Sequence, residues 1–253
     1  MDPFARRTFL QTLPGRVPET RFSAGQRLRA AQLQAFVGAL HRAAERHLGA
    51  LEPPALVVLA ASDWRALLSA PYGWPLTRRT AGGVSVVAPA DYPNRLLRRW
   101  DAVLLRAASA GRQAPTGVRA LMDALVGLEW AHAALYAADL RSRAPWLNEV
   151  LAVALWCLAL EAAGQGEQRR AVTAWGEVQR AGAPPVGQPT AFVYPRGRAP
   201  FDALVWQQGQ LAEVGEALAA RGWGALRGEV SGSAREAVAR AAAAEPALRG
   251  WAP

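Results

Sequence analysis

Apolar residues recur every three or four positions through most of the chain and contract into short runs only between about residues 50 and 90. Leu28, Leu33, Phe36, Leu40 and His47 mark a first helix, capped by Ser23 and running to about Gly49, with Arg27, Arg29, Arg42 and Arg46 on its other faces. Pro53 and Pro54 stop it. Leu56-Val57-Val58-Leu59 and Val84-Ser85-Val86-Val87 are bounded by turn residues and predict the strands of a small sheet. Between them, Pro71-Tyr72-Gly73-Trp74-Pro75 and Gly82-Gly83 predict a loop across the surface, whose aromatic rings either line a cleft or pack as a turn.

Helical spacing then resumes. Asn94 is placed to cap a helix from Arg95 to about Ser109, and Thr116 to cap a longer one. On that longer helix Leu121, Leu125, Leu128, His132 and Leu135 form one stripe, so His132 is expected to face inward. A second apolar helix runs from Pro145 to about Ala163 and closes at Gly164 and Gly166. Residues 181–200 contain five prolines and predict a loop, with one extended piece at Ala191 to Tyr194. Pro200 opens a helix carrying Trp206, Leu211, Val214 and Leu218, and the Ala-rich tail beyond Ser233 predicts a last one. No internal repeat of fixed period is present.

Composition adjusts this reading only slightly. With 253 residues, 51% of them hydrophobic, the chain can bury a sizeable core, and one domain over 1–253 is the simplest organisation. The +9 net charge points toward a polyanion partner, yet all the basic side chains are Arg, with no Lys and no Ile, as GC-rich coding would produce. Arg78-Arg79, Arg98-Arg99 and Arg169-Arg170 are dispersed pairs without a nucleic-acid motif, which disfavours a basic nucleic-acid-binding module. The single cysteine, Cys157, lies in an apolar run as a core residue, and a reducing, cytoplasmic setting fits. The N-terminal apolar stretch is too short for a secretory signal, and Val150 to Leu160 is about half of a membrane span, so no membrane association is expected.

The chemistry concentrates at Leu128-Glu129-Trp130-Ala131-His132, followed by Pro145-Trp146-Leu147-Asn148-Glu149. Zinc hydrolysis needs three protein ligands and an open position for a water, with a carboxylate beside it as general base. Two His at i and i+4 share a helix face and supply two ligands. Here the first of those positions is Leu128. The two stretches resemble the gluzincin-like metallopeptidases, most strongly over residues 110–165. That resemblance implies Glu129 as general base, His132 and Glu149 as metal ligands, and Leu128 as the replacement of the first His. It also implies an α+β, mainly helical, zincin-like fold with a small sheet packed on the motif helix. Its parts would be an N-terminal helix and sheet at about 20–90, motif helices at about 115–164 and C-terminal helices at about 200–247. Tyr72, Trp74, Trp146, Asn148 and Tyr194 are candidates for lining its cleft.

Losing an imidazole from the ligand set weakens zinc binding by at least about 10- to 100-fold, the effect of removing even an outer-sphere partner. No cofactor is therefore expected, with zinc the cofactor if the protein is active. Without a cation, Glu129 is expected to have a raised pKa or to bond His132. The favoured function is a pseudopeptidase that binds a peptide or protein segment in the inherited cleft; the alternative is an active zinc peptidase with a non-standard ligand. Glu-x-x-His is also half of a di-iron site in a helical bundle, but His41 and His47 lack a Glu three residues earlier. Oligomeric state and the identity of the partner are not encoded legibly.

Overall fold

A continuous apolar run becomes a strand when both of its faces are covered, and residues 55–59 meet that condition. The computed structural model describes residues 10–14, 18–80, 83–109, 117–138, 140–141, 144–180 and 201–230. Within these, β3 (Ala55–Leu59) buries Leu56, Val57, Val58 and Leu59 almost completely. It lies at the centre of a five-stranded sheet with β1 (Gln11–Leu13), β2 (Thr20–Phe22), β4 (Leu76–Thr80) and β5 (Gly83–Pro89), in the order β1-β2-β3-β5-β4. The β2, β3 and β5 strands are parallel, while β1 and β4 run antiparallel to their neighbours and form the two edges. The architecture is α+β, mostly helical with a small mixed sheet.

The chain divides into two compact units, 1–101 with 117–139 and 102–116 with 140–253. The first contains the sheet, α1 (Arg27–Leu48), α2 (Ala61–Leu67), the opening of α3 (Asn94–Ser109) and α4 (Val118–Ala137). Helix α1 packs on β1, β2 and β3, and α4 on β4 and β5, with α1 against α4. From α2, Trp64 joins Val57, Leu59 and Val87 in a separate apolar cluster. Because side chains alternate along a strand, this cluster takes the 57 and 59 positions and leaves Leu56 and Val58 to the opposite face.

Several sequence expectations for this unit shift. Ser23 does not cap α1: its hydroxyl accepts from the Ala60 N–H at 2.9 Å and its N–H donates to the Val58 carbonyl at 2.9 Å, tying the ends of β2 and β3 together. Gln26 occupies the cap position without a side-chain bond. The buried stripe of α1 runs through Ala30, Leu33, Val37, Leu40, His41 and Ala44, whereas Leu28 and His47 are exposed. Two of these positions, Ala30 and Ala44, are small alanines, which are weak markers in a hydropathy pattern. Asn94 is the first residue of α3 rather than its cap, since the Pro93 carbonyl accepts from Leu96 and Leu97. Strand β4 interrupts the region read as one loop. The expected cap at Thr116 lies outside the described residues.

The second unit is helical, with the end of α3, α5 (Pro145–Ala162), α6 (Gly166–Arg180), α7 (Phe201–Ala220) and α8 (Trp223–Val230). Pro145 sits at the start of α5, where its missing N–H costs nothing. The helix closes through bonds from the Gly164 N–H to the Glu161 carbonyl and from the Gln165 N–H to the Leu160 carbonyl. Helices α5 and α7 cross closely at Gly215, where a Cβ would lie 2.6 Å from Val153 Cβ and 2.9 Å from the Val150 carbonyl oxygen. Trp156 of α5 meets Trp175 of α6 edge to face at 6.3 Å. By length and composition α5 could cross a membrane, but 83% of it is buried within the fold, as in a core helix. The expected extended piece at 191–194 and the tail helix beyond 233 lie outside the described residues.

Candidate functional site

The expected stripe on α4 is present: Leu121, Leu125, Leu128, His132 and Leu135 are all buried. Helical spacing places Glu129, His132 and Tyr136 on one face, at i, i+3 and i+7. Strand alternation gives Thr77 and Arg79 the same face of β4, and both meet this side of α4. Thr77 Oγ1 lies 2.7 Å from the Glu129 carbonyl oxygen and 2.8 Å from Glu129 Oε2, so one hydroxyl hydrogen serves two acceptors. The Arg79 guanidinium stands 5.7 Å above the Tyr136 ring centroid, within cation–π range. A carboxylate, a phenol and a guanidinium thus share the margin between α4 and the sheet edge.

An ionic clamp sets the position of α4 against α1. Arg29 donates from both terminal nitrogens to the Asp123 carboxylate, with Nη1 at 2.9 Å from Oδ2. The Tyr92 hydroxyl donates to Asp123 Oδ1 at 2.7 Å and accepts from Arg29 Nη2 at 3.1 Å. Burial alone would lower the Arg29 pKa, but the bond to Asp123 and the nearby Tyr92 and Asp123 outweigh it and raise it. Burial first, then the Asp123 charge, pushes the Tyr92 phenol well above its ordinary value. One turn earlier, Arg119 pairs with Asp91 at 2.6 Å and holds that carboxyl below its usual range.

Two further contacts complete the surroundings of the motif. His41 of α1, 1% exposed, meets Trp130 edge to face at 6.4 Å. Burial lowers its pKa, against the opposing pull of Glu45, whose Oε1 is 3.7 Å from Nε2. At the other end of the loop, Trp74 stacks on Trp100 at 5.9 Å. Tyr72 packs edge-on to Trp64 at 5.5 Å, and its hydroxyl accepts from the Asp91 N–H. Gly73 is required between them: its φ is +110°, and a Cβ would come within 2.4 Å of Pro93 Cδ.

Trp146, Asn148 and Glu149 are buried on α5 in the second unit, Glu149 to 1% exposure, while Glu129 and His132 belong to the first. Tyr194 lies outside the described residues. The donor chemistry on α4 does not fit a catalytic zinc: the first ligand position is the aliphatic Leu128, 3% exposed, which leaves one imidazole on that face. Among the described residues, no group of three His, Cys, Asp or Glu side chains is arranged to hold a metal ion.

Sequence reasoning missed Thr77, Arg79, Tyr136 and Asp123. Only Tyr136 carried a signal there, its seven-residue spacing from Glu129; Thr77 and Arg79 become neighbours through a strand that the pattern did not reveal. Compared with known protein families, curated proteins and solved structures, the chain matches none.

Proposed function

We propose that this protein is a degenerate, gluzincin-like zincin domain that no longer hydrolyses peptides and instead binds an extended peptide or protein segment beside its motif helix. The observation that carries this reading is Leu128, buried at the position of the first ligand and set in the core stripe of α4 beside the retained Glu129 and His132. Support also comes from the packing of α4 on β4 and β5, the arrangement expected of a motif helix seated on a small sheet. The outer edge of β4 has no strand partner among the described residues, so alternate backbone N–H and C=O groups face outward. An extended segment adds to such an edge through main-chain hydrogen bonds, and side chains beside it set the preference. Glu129, held by Thr77, then serves as a fixed polar wall of the groove rather than as a base for a metal-bound water. A cytoplasmic location accords with a single thiol, Cys157, that is fully buried.

The test combines metal analysis of protein purified without chelator, a peptide hydrolysis assay, and anisotropy titration with labelled extended peptides. The expected result is zinc far below one ion per chain, no hydrolysis, and saturable peptide binding. Stoichiometric zinc with hydrolysis abolished by Glu129→Gln would instead establish an active peptidase with a non-standard ligand.

A further inference from the structure

The charge at the β4 edge narrows the class of segment that binds there. We infer that the bound segment carries an acidic side chain opposite Arg79, an inference that rests on the peptide-binding reading above. Several arginines in the described structure pair with carboxylates, among them Arg29 with Asp123, Arg119 with Asp91, and Arg169 with Glu161 and Glu216, whereas Arg78, next to Arg79 in β4, donates to the Leu67 carbonyl. Arg79 is exposed, and among the described residues it has no carboxylate partner; its contact is the face of the Tyr136 ring. That contact holds the guanidinium on the α4 side of the strand.

A residue paired directly across from Arg79 on an added strand would have its Cβ about 4.5–5.5 Å away on the same face. An Asp or Glu there receives the guanidinium donors, and a Lys is repelled. The preference is specific to that position. Two residues along, the added strand would face Thr77 and the Glu129 carboxylate that Thr77 holds, where a second acid is disfavoured. The recognised class is therefore an extended segment with one acidic residue set among uncharged ones, rather than a uniformly acidic tract.

The probes are three fluorescein-labelled, end-capped heptapeptides of alternating Thr and Val with a central Glu, Gln or Lys, titrated by anisotropy against the full chain. The Glu peptide is expected to bind roughly threefold to fivefold more tightly than the Gln peptide, the range of an exposed ion pair, and the Lys peptide most weakly. Arg79→Gln should erase the difference, and Arg79→Glu should reverse it in favour of Lys. An unchanged circular-dichroism spectrum confirms that substitution at this exposed position preserves the fold. Equal affinity for all three peptides would overturn the acidic preference while leaving peptide binding in place. A Glu preference that persists in Arg79→Gln would overturn the assignment to Arg79. Binding of none of them would overturn the peptide-binding reading itself.

Discussion

Removing Asp123 tests whether the motif helix is held by the clamp to α1. In the native chain its carboxylate receives two bonds from Arg29 and one from Tyr92. Asp123→Ala leaves a guanidinium whose side chain is only 17% exposed without its anion, and a buried phenol without its acceptor. Breaking a fully buried pair by removing one partner costs about 3–5 kcal/mol. The Asp123 side chain is 40% exposed, so water replaces part of the lost interaction. The expected loss is therefore about 2–3 kcal/mol, in line with one or two hydrogen bonds to charged groups. Tyr92→Phe removes a single hydroxyl and should cost about 1 kcal/mol. Because both changes act on one network, the double variant should lose less than the sum by about 0.5–1 kcal/mol. Urea unfolding followed by tryptophan fluorescence and far-ultraviolet circular dichroism reads all three. A loss below about 0.5 kcal/mol for Asp123→Ala, the range of an ordinary surface substitution, would refute the clamp.

Burial pushes the Cys157 thiol up to about 12, so the native state keeps a proton that the unfolded chain releases above pH 9. Stability is then complete below that pH and falls as pH rises toward 12; between pH 9 and 10, before unfolded Tyr92 ionises, the slope should disappear in Cys157→Ala when unfolding is measured across pH. His41 behaves in the opposite sense, because burial lowers its pKa. Its contribution is present above pH 6.5 and is lost as pH falls through the native value, and His41→Leu should flatten this acid limb in the same experiment. Gly73→Ala forces a Cβ to within 2.4 Å of Pro93 Cδ at a positive φ. It should destabilise the protein by about 2–4 kcal/mol in urea unfolding, the sum of left-handed backbone cost and overpacking, and an unchanged midpoint would show that the loop relaxes freely.

The elements legible in the sequence were those with a long period or a continuous apolar run. Helices α4, α5 and α7 each repeat an apolar stripe over about five turns, and β3 and β5 are β-branched and buried on both faces. β1 and β2 have three residues each, too few for alternation to register. β4 reads Leu-Thr-Arg-Arg-Thr, four polar residues in five, because one face meets the half-buried Glu129 and the other follows Leu76 with Arg78, which donates to the Leu67 carbonyl. Helix α6 is largely polar on its outer side and anchors through Arg169 and Thr173 to Glu216, a network assembled by tertiary contact. The same limit applied to the candidate site. Glu129 and His132 stood out because one helix carries both, whereas the Thr77 partner of Glu129 is 52 residues away. Ser23 had the chemistry of a helix cap, but the end of β3 offers its hydroxyl the Ala60 N–H, and strand pairing decides the outcome.

Whether an aliphatic residue at position 128 has taken the place of a metal ligand is decided by measuring zinc affinity for the wild-type chain and for Leu128→His side by side, using competition with a chromogenic chelator. Weak binding by the wild type is expected, with an affinity at least about tenfold higher in the variant, the minimum gained by restoring an imidazole to the ligand set. Tight, stoichiometric zinc in the wild type, or identical affinities for the two proteins, would contradict it.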